Sequence, residues 1–127
     1  MRLIRKKLMI VDPSPIFRRE LKAIIQTNET LVDVTEADTI SAAESMLRNQ
    51  PIDVVFLDIG FPQDGGFGLI DTITGMAADI RIVVLTDHDS AAHKTAALEK
   101  GAAHFLAKQD AVGLRLIDLI HETIRRS

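Results

Sequence analysis

The chain has no cysteine, no tryptophan and no tyrosine, and only five phenylalanines among its 127 residues. Without cysteine there is no disulfide framework, no thiolate nucleophile and no thiolate metal site, a usage compatible with a reducing cytoplasm. The absence of Trp and Tyr, with five Phe remaining, argues against an aromatic platform for a flavin or single-stranded nucleic acid. The seven glycines and four prolines are scattered, so no Pro/Gly/Ser linker divides the chain and a single domain over 1–127 is expected. A long apolar run is also missing. Arg2, Arg5, Lys6 and Lys7 precede Leu8–Val11, which is too short for a signal-peptide core or a membrane span, and the basic cluster reads as a solvated lead-in. A formal charge of −3 gives no general attraction to nucleic acid, whose binding needs clustered Lys and Arg.

What remains is globular in composition, with 46% hydrophobic and 26% charged residues, and it is regular in pattern. Short apolar runs alternate with segments of helical period: Leu8–Val11 then Ile16–Gln26, Leu31–Glu36 then Ser41–Asn49, Ile52–Leu57 then Phe67–Met76. Ile80–Leu85 then Ala91–Lys100, and Ala103–Leu106 then Val112–Arg126, complete five βα units. Such alternation predicts a parallel sheet covered by helices on both faces, an α/β fold of flavodoxin-like (βα)5 type. The third and fourth runs are continuously apolar, as central strands are. The second run alternates and reads as an edge, which fits the strand order 2-1-3-4-5.

Local signals support the boundaries. Ser14-Pro15 reads as an N-cap with proline at the first helical position. Ser41 and Glu44 fit a capping box, with Asp38 or Thr39 as earlier starts. Gly101 ends a helix, and the glycines between Gly60 and Gly66 shape the turn before the third helix. Their spacing opens like a P-loop, but Gly66-Phe67 stands where Lys-Ser/Thr is required, so a nucleotide site is rejected.

Four of the apolar runs end in a polar residue: Asp12, Asp58, Thr86 and Lys108. In open α/β sheets, ligands sit at the carboxyl ends of the strands beside the switch point, which here lies between the runs ending in Asp12 and Asp58. Neighbouring carboxylates repel unless a cation sits between them, and oxygen ligands favour Mg²⁺. The set suits holding a phosphoryl group on a carboxylate.

These residues resemble a known family. Asp12 in Ile-Val-Asp, Asp58 followed by Pro62 and Gly66, Thr86, and Lys108 preceded by Phe105 look like the receiver domain of bacterial two-component response regulators, over residues 8 to about 125. The tract Pro15–Leu21 further resembles receivers that precede a LuxR-type helix-turn-helix. The resemblance implies a signalling domain rather than an enzyme, with at most self-phosphorylation and self-dephosphorylation chemistry. Asp58 would be the phosphoacceptor, charged by a sensor histidine kinase or a small acyl phosphate. Mg²⁺ would be held by Asp12, Asp58 and the backbone carbonyl of Gly60. Lys108 would bind a phosphoryl oxygen, and Thr86 would donate to the phosphate once it arrives, with Phe105 swinging inward to remodel the face of the fourth helix, fifth strand and fifth helix. The implied partners are the kinase, a second copy of the chain, and a C-terminal DNA-binding output domain outside this chain, with no direct nucleic-acid or membrane contact.

Two residues depart from the family pattern. Pro13 replaces the second of two adjacent acids and offers no side-chain ligand, so a weakened Mg²⁺ site is expected unless Asp64 or water compensates. Asp87 follows Thr86 where a small residue is usual, and it would either repel the phosphate or restore the charge lost at Pro13. These departures motivate an alternative, an atypical receiver acting as a phosphorylation-independent interaction module. A flavodoxin-like binding or catalytic domain is a third class, but the loop or stacking aromatics it requires are missing.

His88, His93, His104 and His121 show no metal spacing and read as surface residues. In the last helix Val112, Leu116, Leu119, Ile120 and Thr123 form a core-facing stripe. Leu114, Ile117 and Ile124 form a neighbouring one, covered either by an adjacent helix or by a dimer or output-domain contact.

Overall fold

The computed structural model describes residues 4–127, so Arg2 of the basic cluster lies outside the described residues. Its elements are β1 (Lys6–Val11), α1 (Pro15–Asn28), β2 (Val32–Ala37), α2 (Ile40–Asn49), β3 (Val54–Leu57), α3 (Gly65–Thr74), β4 (Arg81–Thr86), α4 (Ala91–Glu99), β5 (His104–Ala107) and α5 (Gly113–Arg126). The five strands are parallel in the order β2-β1-β3-β4-β5, the order expected from the run pattern.

Side chains of successive strand residues point to opposite faces, so each buried strand feeds two cores. Leu8, Ile10, Val54, Phe56, Val83 and Leu85 pack under α1 and α5 against Leu21, Ile25, Leu116 and Ile120. Met9, Val11, Val55, Leu57, Ile82 and Val84 pack under α2, α3 and α4 against Ala43, Leu47, Leu69, Ile70 and Ala97. Every residue of β3 is buried, each large side chain contributing about 1.5–3 kcal/mol. By contrast β2 is only half-buried between its ends, as an edge strand should be.

The helix starts follow side-chain chemistry. Ser14 Oγ accepts the Phe17 N–H, with Pro15 leading α1. Thr39 Oγ1 caps α2 by accepting the Ala42 N–H, so the cap is Thr39 and not Ser41. Gly101 leaves α4 at φ +117°, a conformation that only glycine adopts freely.

Four expectations are corrected. Gly65 and Gly66 are the first residues of α3 rather than part of the turn before it. Gly66 is there because a Cβ would stand 2.5 Å from Ile59 Cα. The turn itself is made by Gln63 and Asp64 in left-handed backbone at φ 59° and 55°, and α3 ends at Thr74 rather than Met76. Val112 is the N-cap of α5 and 62% exposed, with Leu114 76% exposed. The core stripe is instead Leu116, Ile120, Thr123 and Ile124, because the chain turns into the helix at Gly113 (φ +56°) and the first apolar residue falls short of the sheet. Finally, only His88 is fully on the surface. His93, His104 and His121 are half-buried, and His121 Nδ1 lies 2.5 Å from Glu29 Oε1 across α1 and α5.

Candidate functional site

The parallel ladder brings the four strand-end residues together. Val11 pairs with Leu57, and the Asp58 N–H donates to the Val11 carbonyl at 2.9 Å, which sets residue 58 beside Asp12. Pairing of Leu57 with Val84 places Thr86 two steps further along β4. Pairing of Thr86 with Ala107 puts Lys108 just past the end of β5. Asp12, Asp58 and Thr86 are buried, at 1%, 6% and 0% exposure, so their polar atoms must find partners within the protein.

They find one another. Asp58 Oδ1 accepts the Thr86 hydroxyl at 2.6 Å and the Gly60 N–H at 3.0 Å. Asp58 Oδ2 faces the Lys108 ammonium at 3.3 Å. Lys108 Nζ lies 2.8 Å from Asp12 Oδ2, while Asp12 Oδ1 accepts the Ser14 N–H at 2.8 Å. Asp12 Oδ2 is closed to solvent and takes no hydrogen bond of good geometry, so its one close partner there is the ammonium charge.

The electrostatics follow from this burial. Desolvation raises the Asp12 carboxyl above its ordinary range, and Lys108 and the Ser14 N–H only partly offset it. Burial is also the largest single influence on Lys108 and pulls its ammonium down, but Asp12 and Asp58 together outweigh it and the net shift is upward. Lys108 is the counter-ion of both carboxylates.

Among the described residues no three His, Asp or Glu side chains converge in a way that could hold a metal. The oxygen donors at the site are two carboxylates, and the Gly60 contact there is its N–H on Asp58 Oδ1. That set fits a dication that keeps several waters, as Mg²⁺ does, and the under-bonded Asp12 Oδ2 is the clearest sign of it. Pro13 is exposed at the bend after β1. Asp64 and Asp87 are also exposed, and neither forms an ion pair among the described residues. Asp64 lines a hollow with Gly60, Phe61, Phe67, His88 and His93. Asp87 lines another with Lys108 and Phe17.

Phe105 is half-buried and packs against the core beneath α4. Thr86 donates to Asp58 itself, so the hydroxyl expected to meet a phosphate already points at the phosphoacceptor candidate. Three further residues touch the site that the sequence pattern did not single out. Arg18 donates from Nη1 to the Asp12 carbonyl at 2.7 Å and from Nε to Glu36 at 3.2 Å. His88 donates its N–H to Thr86 Oγ1 at 3.0 Å and lays its ring on Gly60, where an added Cβ would meet Nε2 at 2.6 Å. Phe17 offers its ring face to Lys108, with Nζ 4.2 Å from the centroid. The only hint in the sequence was the helix-leading tract that carries Phe17 and Arg18.

Known proteins resemble this chain in sequence and in fold. The sensory transduction protein LytR of Streptococcus mutans is 36% identical over 103 residues, which cover 80% of this chain and 41% of that protein. The chain spans about half or less of the length of the curated relatives it matches. A response regulator from Thermotoga maritima superposes with a TM-score of 0.83 at 24% identity, covering 96% of this chain and 99% of the other. A response regulator from Burkholderia pseudomallei, solved with a phosphorylated aspartic acid, calcium ion and citrate, gives 0.78 at 22% identity over 95% of this chain and 72% of the other. These likenesses show the fold, and residues 8–120 match the sequence family described as the response regulator receiver domain. The chain belongs to that family, the receiver domains of two-component response regulators.

Proposed function

We propose that this chain accepts a phosphoryl group on Asp58 from the phosphohistidine of a sensor kinase and passes the change to a partner through α4, β5 and α5. Receiver domains are signalling domains that generally hold Mg²⁺ at their acidic site. The observation that carries the reading is the convergence of Asp12, Asp58, Thr86 and Lys108 within hydrogen-bonding and ion-pairing distance.

Two donors tie up Asp58 Oδ1, leaving Oδ2 the freer nucleophile. As its bond to phosphorus forms, the bond from phosphorus to the histidine nitrogen breaks and the imidazole leaves. Such transfer is mainly positioning and charge neutralisation. Lys108 supplies a compact positive charge to the phosphoryl oxygens, and Thr86 can turn its hydroxyl from Asp58 to one of them. Asp12, Asp58 and the Gly60 carbonyl would hold Mg²⁺, which when bound neutralises phosphoryl charge. With Pro13 in place of an acid, that hold is weaker than one with a third carboxylate would be. A C-terminal DNA-binding output domain, a second copy of the chain and a cytoplasmic setting complete the proposal. No helix among the described residues is long and apolar enough to cross a membrane.

One observation favours a second reading, a module that binds its partner without phosphorylation. Thr86 satisfies its hydroxyl with the protein's own carboxylate, with no phosphate needed to draw it in. Incubation with acetyl phosphate, or with beryllofluoride and Mg²⁺, separates the two. The first reading expects one added phosphate by intact mass and shifted amide resonances at α4 and β5, both abolished by Asp58→Asn. No change at millimolar Mg²⁺ would leave only the second.

A further inference from the structure

The geometry points to Phe17 as a positioning residue of the acidic site: its ring face is a third partner of the Lys108 ammonium and holds that charge between Asp12 and Asp58. The lysine stem is long and flexible, so two carboxylates alone fix the ammonium loosely. The ring centroid lies 4.2 Å from Nζ, and the same nitrogen lies 2.8 Å from Asp12 and 3.3 Å from Asp58. The Lys108 side chain is 13% exposed, and a cation over an aromatic face is held more firmly as water is removed.

Phe17 is itself fixed by the loop that carries Asp12. Asp12 Oδ1 accepts the Ser14 N–H, and Ser14 Oγ accepts the Phe17 N–H at 3.2 Å. Pro13 and Pro15 stiffen the same bend by restricting φ. The contacts close a ring from Asp12 through Ser14 to Phe17, over the aromatic face to Lys108, and back to Asp12. A strand-end lysine is thereby registered to the first turn of α1, and the face of Phe17 does work that apolar packing alone would not require. The ring also packs against the core under α1 and α5, so a purely space-filling role is the competing account.

The consequence for phosphate binding rests on the phosphoacceptor reading, but the placement of Lys108 does not. Phe17→Leu keeps the apolar volume and removes the π face, whereas Phe17→Tyr keeps both. In proton spectra the Lys108 ε-methylene signals should lie upfield of those of the other lysines in wild type and in Phe17→Tyr, and return to ordinary positions in Phe17→Leu. Affinity for beryllofluoride with Mg²⁺ should fall about three- to tenfold in Phe17→Leu and stay within about twofold in Phe17→Tyr. Lys108 signals indifferent to Phe17→Leu, or equal losses of affinity in both variants, would overturn the assignment. If wild type binds no beryllofluoride, the phosphoacceptor reading fails, and the ring-shifted signals alone support or overturn the placement.

Discussion

Replacing Lys108 by methionine keeps the length of the stem and removes the one cation between two buried carboxylates. Asp12 and Asp58 side chains are 2% and 7% exposed, and stripping a buried ion pair of one partner typically costs about 3–5 kcal/mol. Protonation sets a ceiling on that cost. Keeping an acid neutral when its ordinary value is 3.8 takes about 1.4 kcal/mol per pH unit, hence about 4 kcal/mol at pH 7 and about 2 kcal/mol at pH 5. Asp12 is already raised in the wild type, so part of this is present before the mutation. The expected loss is therefore about 2–4 kcal/mol at pH 7 and about 1–2 kcal/mol at pH 5. The sign follows from linkage. A folded-state carboxyl raised above its unfolded value binds more protons than the unfolded chain, so stability falls as pH climbs from 3.8 toward the raised value. Removing Lys108 takes away the close positive charge that lowers Asp12, and the window of falling stability widens upward. With no Trp or Tyr, urea unfolding is best followed by far-ultraviolet circular dichroism at both pH values. A loss independent of pH, or below about 1 kcal/mol at pH 7, would refute the claim that Lys108 is the counter-ion. The double variant with Asp12→Asn should recover a large part of the loss.

Gly66→Ala forces a Cβ to within 2.5 Å of Ile59 backbone, and a loss of about 1–3 kcal/mol in the same urea assay is expected. Asp33 is held down to about 2 by Arg5 and Lys7. Its carboxyl carbon should therefore titrate near that value by NMR, with its small stabilising contribution present above pH 3.8 and lost as pH falls toward 2; Arg5→Ala should move the midpoint upward. Pro13→Asp restores a donor after β1 and should raise Mg²⁺ affinity about tenfold or more, since even outer-shell losses cost about that much. An isothermal titration showing unchanged affinity would mean that Pro13 is not the deficit.

Strand-end chemistry was legible in the sequence because a strand buried on both faces has no other place for a polar residue. That is why Asp12, Asp58, Thr86 and Lys108 could be read as one site before any contact was known. Strand order followed similarly from continuous apolar runs in the centre and an alternating run at the edge. The start of α5 was not legible. Val112 has the spacing of a core residue, but Gly113 turns the backbone one residue later and leaves Val112 outside. The contacts of Phe17, Arg18 and His88 were hidden for another reason. Phe17 meets Lys108, Arg18 meets Glu36 and His88 meets Gly60 from separate segments, and no periodicity encodes such a meeting.

The charge of the site ties these observations to the missing acid. Asp12 and Asp58 against Lys108 leave one negative charge, and a dianionic phosphoryl group on Asp58 would replace one carboxylate charge by two. A bound dication then brings the loaded site to neutrality, whereas an acid at residue 13 would leave it negative by one. On the proposed reading, Pro13 would forgo a metal ligand and, at the same stroke, a charge that would repel the incoming phosphoryl group. The two effects oppose each other: weaker attraction for Mg²⁺ before transfer, less repulsion after it. Because the wild-type site already holds Lys108 against both carboxylates and Phe17, part of the neutralisation is built into the protein. Pro13→Asp should therefore tighten Mg²⁺ without a proportionate gain in phosphorylation rate at saturating metal. A gain in rate that tracks the gain in metal affinity would show instead that metal binding alone limits the chemistry.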